Sequence, residues 1–295
     1  MTALFIRGLV RCLGVLPLPV NQWLGYLIGQ VAYGTRSKSR QIALVNIKIC
    51  YPNMDPDEQK KLARLSLIET GKSLTEAAWI WTNSLERIQS RITYADGHEL
   101  YQEYVEQPEG LLIATPHWGA WELCSLPLSQ DRKFTYLYRE PRLRALDEPL
   151  IRWRAHLGGH PATLDTVGIR KALRVLKSGE TLGILPDQEP DRNNGVFAPF
   201  FGTEANTMTL FHKFASRPKV NTLVCLVERL PRAKGWKVRF IKPDAAINAS
   251  DKLQAAIAVN RTVEHCIAIN PAQYNWSYKR FRYLPDGGKR NYALK

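Results

Sequence analysis

Cysteine is scarce in this chain, and its cysteines follow no pattern that is typical of a disulfide framework. The five thiols of the 295 residues are an odd number, lie far apart and include no C-x-x-C pair. Small domains that depend on disulfides carry even sets of cysteines at regular spacings. The sequence therefore favours a reducing compartment.

Several well-known catalytic motifs are also missing. The sequence contains no G-x-S-x-G nucleophile elbow, no P-loop and no glycine-rich dinucleotide fingerprint. His156 and His160 lie four residues apart, but Gly158 and Gly159 separate them, and no acidic third ligand follows at a zinc-site spacing. We therefore expect no metal ion and no bound cofactor.

Acidic residues are outnumbered. Lysine and arginine total 41 against 27 acidic residues, a formal net charge of +14, while 45% of the residues are apolar. The apolar fraction indicates a globular core, and the charge favours an anionic partner: nucleic acid, a lipid surface or an acidic protein. Nucleic-acid-binding patterns are missing and the basic residues are dispersed, which argues against nucleic acid. A basic surface that serves only solubility is the plain alternative.

The sequence lacks an uninterrupted hydrophobic run that would make a good membrane span. Residues 12–35 carry no charge, but polar and proline residues interrupt the stretch near its middle. The interrupting residues are Pro17, Pro19, Asn21 and Gln22. The pattern predicts two short helices lying in the membrane interface, with basic flanks toward anionic headgroups, and no cleaved signal peptide. We predict a membrane-anchoring segment at residues 1–40 and one catalytic domain at residues 41–295.

Beyond residue 90, short apolar runs alternate with helical patterns. Strands are predicted at residues 110–115, 134–138, 181–185, 222–227 and 236–241. Helices are predicted at residues 145–157, 169–177 and 252–269, with another from about residue 118 and a long one behind the Asp55 cap. This alternation indicates an α/β fold.

The segment after the first of these strands carries the most informative residues. His117 and Glu122 lie five residues apart in Thr-Pro-His-Trp-Gly-Ala-Trp-Glu. A carboxylate on one ring nitrogen fixes the tautomer of an imidazole, so that the other nitrogen is free to take a proton from an alcohol. Alone, this spacing is a weak signal, because a half-buried histidine and a surface glutamate explain it as well.

Matching blocks in the same order along almost the whole chain resemble a known family. The blocks lie at residues 117–122, 138–141, 170–180, 185–188, 196–202 and 271–281. They include Tyr-Arg-Glu-Pro, Leu-Pro-Asp-Gln and Val-Phe-Ala-Pro-Phe-Phe-Gly. They resemble the late, or secondary, lipid A acyltransferases of Gram-negative bacteria, within the wider group of lysophospholipid and glycerolipid acyltransferases.

The resemblance implies a sandwich in which helices flank a mixed sheet, attached to the bacterial inner membrane with the catalytic domain on the cytoplasmic face. It implies transfer of a fatty acyl chain from an acyl-carrier-protein thioester to a hydroxyl of a lipid A precursor, in lipopolysaccharide biosynthesis. Because the thioester is already activated, direct transfer without a serine acyl-enzyme is expected. The positive charge suits the acidic carrier protein and an anionic membrane.

The predicted catalytic pair lies in the His-x4-Glu block. We expect His117 to act as general base and Glu122 to orient it. Backbone N–H groups of Trp118 and Gly119, at the start of a helix, would hold the oxyanion of the tetrahedral intermediate. A tight turn explains Gly119 equally well.

Arg139, Arg170 and Asp187 complete the predicted substrate site. Arg139 would bind a phosphate or headgroup and Arg170 a phosphorylated glycolipid, with surface ion pairs as the plain alternative. Asp187 ends a strand, where α/β proteins place site residues, although a turn cap explains it too. Related acyltransferases carry Pro-Glu-Gly in this loop, so we expect no direct phosphate contact from it here. Val196-Phe197 and Phe200-Phe201 are candidates for an apolar acyl groove, although aromatic packing in the core is the commoner explanation.

Other interpretations stay open on the sequence alone. The acceptor could be a lysophospholipid, an aminolipid or another glycolipid. Outside enzymes, the chain could be a basic nucleic-acid-binding module or a catalytically idle membrane scaffold. Acyl transfer to a lipid A precursor leads, because several blocks in the right order are far more specific than one spacing.

Overall fold

The structure, a computed structural model, describes residues 2–141 and 143–293. Within these residues five helices come first, and strands and helices are interleaved after them. The strands are β1 (Ile92–Tyr94), β2 (Gly110–Ala114), β3 (Phe134–Tyr138), β4 (Gly159–Thr163), β5 (Thr181–Ile184), β6 (Gly195–Phe200), β7 (Thr203–Met208), β8 (Val220–Arg229) and β9 (Trp236–Ile241). The helices are α1 (Thr2–Val15), α2 (Leu18–Gly34), α3 (Lys38–Cys50), α4 (Pro56–Thr82), α5 (Leu85–Gln89), α6 (His98–Glu106), α7 (Ser125–Leu128), α8 (Asp147–His156), α9 (Thr166–Lys177), α10 (Leu210–Ala215) and α11 (Lys252–Ile269).

Seven of these strands form one mixed sheet in the order β1-β9-β8-β2-β5-β3-β4. Within it, β8 and β9 run antiparallel and the other neighbouring pairs run parallel. β6 and β7 form a separate antiparallel hairpin. The predicted mixed sheet flanked by helices is confirmed. Because β2, β5 and β3 are parallel neighbours, their carboxyl ends meet at one edge, where α/β proteins place their sites.

The central strand β2 is buried along its whole length. Leu111 and Ile113 face one apolar layer, while Leu112 and Ala114 face the other, because successive side chains of a strand alternate between its two faces. Helices α3, α9, α10 and α11 contribute to one layer, and α5, α6, α7 and the end of α4 contribute to the other. Burial on both faces explains why this strand is a continuous apolar run in the sequence.

Helices α1 and α2 pack on α4, a helix of 27 residues. As predicted, Asp55 caps α4 and Pro56 occupies its first turn. Gly25 and Gly29 of α2 lie directly on the backbone of α4. A Cβ on Gly29 would be only 2.4 Å from the Cα of Ile68, so no larger residue fits there.

The N-terminal segment forms two helices that are divided at Pro17, as its interrupted apolar pattern predicts. Within residues 2–141 and 143–293, no helix combines the length and the apolar character needed to cross a bilayer. The division into an anchor at 1–40 and a catalytic domain at 41–295 stays a prediction, and its outermost residues, 1 and 294–295, lie outside the described part.

The structure departs from the predicted elements in several places. No α-helix starts at Trp118: residues 118 and 119 bridge to Tyr274 and Val227, and helical geometry begins only with the 3₁₀ turn Trp121–Cys124. Strands β1 and β4 and the β6–β7 hairpin are additional to the predicted ones. β1 is short, and β4 contains Gly159 and Pro161 at the sheet edge, so neither has a strong strand signal.

Candidate active site

His117 lies just beyond the carboxyl end of β2, and Asp187 lies just beyond the carboxyl end of β5. The two strands are parallel neighbours, with Leu112 opposite Leu182. The N–H of Thr115 continues the pairing by donating to the carbonyl of Ile184 at 2.9 Å. Residues 70 apart in the sequence are therefore brought side by side.

The Asp187 carboxylate binds His117 twice. Oδ1 is 2.9 Å from the ring nitrogen Nδ1, and Oδ2 accepts the backbone N–H of His117 at 2.9 Å. An ionised carboxylate can only accept hydrogen bonds, so Nδ1 carries the proton and Nε2 is left as the basic nitrogen. The side-chain amide of Gln188 lies 3.0 Å from that Nε2. The ring is therefore fixed in orientation and in tautomer.

Electrostatics keep Asp187 ionised although its side chain is only 3% exposed. Burial acts to raise the pKa of this carboxyl. The charge of His117 and the hydrogen bonds from its ring and backbone N–H act more strongly together, and the pKa of Asp187 is held below its usual value of 3.8. A buried, ionised carboxylate on a histidine ring is the arrangement that stabilises an imidazolium when the ring takes a proton.

Glu122, the predicted partner of His117, is engaged elsewhere. Its carboxylate accepts from Nε and Nη2 of Arg154 at 2.9 and 2.5 Å. The Arg154 guanidinium also lies over the rings of Trp121, Tyr136 and Tyr138. This corrects the predicted His117–Glu122 contact: the chain between the two residues is not helical, so the Glu122 carboxylate points to α8. Both residues nevertheless line the same groove.

The predicted oxyanion donors are also corrected. The N–H of Trp118 donates to the carbonyl of Pro116 at 2.7 Å, and the N–H of Gly119 donates to the carbonyl of Gln273 at 3.0 Å. Neither is free for a substrate. The turn explanation for Gly119 fits: its φ is +61°, and a Cβ there would lie 2.1 Å from the carbonyl oxygen of Val227. Trp118 is buried, and its indole N–H donates to Asn270.

The two predicted phosphate-binding arginines lie on the surface. Arg139 follows β3, is 67% exposed, and has its Nη2 3.9 Å from Oδ2 of Asp191. Arg170 is exposed on α9. The structure thus brings His117, Gly119, Glu122 and Asp187 together and leaves Arg139 and Arg170 outside that group.

A groove of about 270 Å³ runs between α4 and the segment that carries His117. We call it the α4 groove. It is lined by Thr70, Ser73, Leu74, Glu76, Ala77, Ile80, Trp81, His117, Gly119, Ala120, Trp121, Glu122, Gln273 and Asn275. The apolar and aromatic side chains among them are those of Leu74, Ala77, Ile80, Trp81, Ala120 and Trp121. The candidate from the sequence, residues 196–201, is not this groove: Phe200 is buried in the core against Phe281.

A buried ionic network holds α4 in place beside the α4 groove. Arg229, only 2% exposed, donates from Nη1 to Glu69 at 2.6 Å and from Nη2 to Glu76 at 2.6 Å. The same Nη2 donates to the hydroxyl of Ser73, which in turn donates to the carbonyl of Gly119 at 3.0 Å. The network therefore ties α4 to β8 and to the turn behind His117.

The loop that follows Asp187 is tied to the C-terminal segment. Glu189 accepts from the backbone N–H of Tyr283 at 2.9 Å and from Nε of Arg282 at 3.1 Å. Burial raises the pKa of this carboxyl above its usual value, although these donors oppose the rise. The Glu189 carboxylate is therefore occupied by contacts inside the protein.

The contacts that Gln188, Arg154 and Arg229 make in this region were not predicted from the sequence. Gln188 directly follows Asp187 in a matched block, so its position was a usable signal. Arg154 and Arg229 gave none, because each becomes recognisable only through a carboxylate that lies far away in the sequence: Glu122 for one and Glu76 for the other.

A histidine whose ring is oriented by a carboxylate therefore lies beside a groove at the carboxyl edge of a mixed sheet, and its Nε2 can accept a proton. The chain belongs to the bacterial lipid A biosynthesis acyltransferase family, whose sequence model matches residues 1–283. It is an acyltransferase.

Curated relatives span most of the chain. A lipid A biosynthesis lauroyltransferase of Escherichia coli (strain K12) is 28% identical over 278 residues, which are 92% of this chain and 88% of the relative. A lipid A biosynthesis palmitoleoyltransferase of the same strain is also 28% identical, over 92% of this chain and 88% of its own. A lipid A biosynthesis acyltransferase of Haemophilus influenzae is 24% identical, over 94% of this chain and 88% of its own.

Proposed function

We propose that this protein transfers a fatty acyl chain from an acyl-carrier-protein thioester to a hydroxyl of a lipid A precursor, with His117 as general base and Asp187 as the residue that orients it. The contact between Asp187 and both N–H groups of His117 carries the proposal. It leaves Nε2 as the basic nitrogen at the end of the α4 groove.

The reaction needs one proton to move twice. Nε2 of His117 takes the proton of the acceptor hydroxyl while its oxygen attacks the thioester carbonyl. The tetrahedral intermediate then collapses, the C–S bond breaks, and the imidazolium returns the proton to the thiolate. Asp187 stabilises the imidazolium between these two steps. The amide of Gln188, which sits on Nε2, moves to the developing oxyanion and acts as a donor there.

The charge of the chain supports the proposed partners. A formal net charge of +14 favours an acidic carrier protein as donor and an anionic glycolipid as acceptor. Exposed Arg139 and Arg170 remain the proposed contacts for acceptor phosphates, because guanidinium groups bind phosphate in a bidentate manner. Arg139 directly follows β3, and Arg170 lies in α9, the helix that follows β4.

We also propose that α1 and α2 attach the protein to the cytoplasmic face of the inner membrane by lying in its interface. Their outer side exposes large apolar residues: Phe5, Val15, Trp23 and Val31 are each more than half exposed. Exposed basic residues flank this apolar surface and would face anionic headgroups: Arg11, Arg36 and Lys38. Such a location would give the acceptor lipid direct access to the site.

The test is transfer by the purified full-length protein, followed by mass spectrometry of the lipid product. We expect a lipid A precursor to gain one acyl chain with the wild-type protein and none with His117→Ala. Near-normal transfer by His117→Ala would exclude His117 as the base. A lysophospholipid and an aminolipid serve as parallel acceptors. Preferential acylation of either would exclude the lipid A precursor as the acceptor while keeping the catalytic mechanism.

A further inference from the structure

One end of the α4 groove lies at His117, and we call the opposite end the distal end. Contacts along α4 identify the two ends. Ser66 of α4 donates to the carbonyl of Tyr274 at 2.8 Å, and the next residue, Asn275, donates its N–H to the carbonyl of His117 at 3.1 Å. Further along α4, Ser73 meets Gly119. The segment from His117 to Glu122, which we call the catalytic segment, therefore runs alongside α4 toward the C-terminus of that helix, and His117 is its first residue.

The residues of α4 that line the groove form one stripe. Their spacing of three and four residues places them on a single helix face. They are Thr70, Ser73, Leu74, Ala77, Ile80 and Trp81, together with Glu76, which is held by Arg229. From Thr70 to Trp81 is eleven residues, about 16 Å along the axis at 1.5 Å per residue. The stripe forms an elongated slot whose apolar members, Leu74, Ala77, Ile80 and Trp81, lie toward the C-terminal end of α4, and it is suited to one extended hydrocarbon chain.

Two stacked indoles lie at the distal end of the slot. The rings of Trp81, near the end of α4, and Trp153, in α8, are 5.0 Å apart and within 9° of parallel. Arg154, the next residue of α8, holds Glu122, which is the last groove-lining residue of the catalytic segment. The stack thus joins α4 and α8 at the point farthest along α4 from Thr70.

We propose that the Trp81–Trp153 stack is the end stop of the acyl slot and thereby sets the length of the acyl chain that this enzyme transfers. The inference rests on the proposed placement of the reacting thioester at His117, with its hydrocarbon chain in the α4 groove. Curated relatives that cover this chain are named for lauroyl and palmitoleoyl transfer, so chain length varies within the shared family. A side chain at the end of the slot is a simple way to vary it.

The expected size of the effect follows from methylene burial. Each methylene that enters an apolar slot contributes a factor of about four in affinity, so two contribute about 15-fold. Trp81→Ala removes the stop and should raise kcat/KM about 15-fold for a donor two methylenes longer, relative to the preferred donor of the wild type. Ala77→Phe fills the middle of the slot and should shift preference toward shorter donors.

The experiment is a competition between saturated acyl donors of increasing length, with the lipid A precursor as acceptor and the product ratio read by mass spectrometry. The donors are offered as acyl-carrier-protein thioesters and, separately, as coenzyme A thioesters, so that a wrong carrier does not hide the result. Product ratios do not depend on the total rate, so they separate chain selection from the identity of the base. Thermal melts confirm that each variant is folded.

Tyr94→Ala is the matched control, since this aromatic residue is partly exposed in β1, away from the groove. Opposite shifts in Trp81→Ala and Ala77→Phe, with no shift in Tyr94→Ala, would support the end stop. If Trp81→Ala does not fold, the shift in Ala77→Phe decides. An unchanged product ratio in the folded groove variants would overturn the inference, even if His117→Ala is inactive. A product ratio that depends on the acyl chains of the acceptor, and not on the chain length of the donor, would also overturn the inference.

Discussion

Asp187→Asn tests the proposed His117–Asp187 pair most directly, because aspartate and asparagine side chains have nearly the same shape. The carboxylate uses one oxygen for Nδ1 of His117 and the other for the backbone N–H of His117. An asparagine has one acceptor oxygen, so its NH₂ group must face one of these two donors. The variant therefore loses the contact that fixes the tautomer, or loses the contact that holds the backbone of His117.

The size of the loss can be worked from these contacts. A hydrogen bond to a charged group contributes about 1.5–3 kcal/mol, and the bond from Nδ1 strengthens as the ring becomes positive. Losing about 3 kcal/mol from the transition state lowers kcat about 150-fold. General-base catalysis contributes about 10²–10⁴-fold in all. Asp187→Asn should therefore lower kcat by about 10²-fold, and His117→Ala by up to about 10⁴-fold.

The assay is initial-rate transfer to the lipid A precursor, measured for Asp187→Asn beside Glu122→Gln. Both variants neutralise a carboxylate at the site, but Glu122 is paired with Arg154. Glu122→Gln should reduce stability, since it leaves the partly buried Arg154 without its counter-charge, and should reduce kcat less than Asp187→Asn does. Near-wild-type kcat in Asp187→Asn, together with a large loss in Glu122→Gln, would refute Asp187 as the orienting residue.

Folding lowers the pKa of Asp187, so its contribution to stability should be full above about pH 4 and should decline as the pH falls through the pKa of the folded state. The melting temperatures of the wild type and of Asp187→Asn should therefore converge in acid. A difference that stays constant with pH would contradict this. Arg229→Met leaves the buried Glu76 without its cation, while Glu69 keeps its ion pair with Lys72. The variant should lower the free energy of unfolding by about 3–5 kcal/mol; denaturant titration measures the loss, and Arg229→Met with Glu76→Gln should regain part of it. Replacing the exposed Trp23 and Val31 by Asp should weaken flotation with anionic vesicles, leaving the melting temperature unchanged; equal flotation would argue against α2 as a membrane contact.

Local sequence patterns predicted helices and strands well where a segment carries a clear signal for one kind of element. The predicted bounds of β3, β9 and α11 coincide with those in the structure, because each is a clear apolar or periodic run between turn residues. Residues 118–120 misled the prediction. An N-terminal helix start there was reasonable from Trp118 and Gly119, but the segment instead pairs with Tyr274 and Val227, which lie far away in the sequence.

The sequence by itself determined the α/β alternation, the interrupted apolar N-terminus and, through ordered matching blocks, the family. It also predicted His117 and Asp187 as separate site residues. Only the tertiary structure decided that they form the pair, since a spacing of five residues favours Glu122 until the parallel pairing of β2 and β5 is known. Parallel strands bring distant residues to one edge through a crossover, and that adjacency has no local sequence signal.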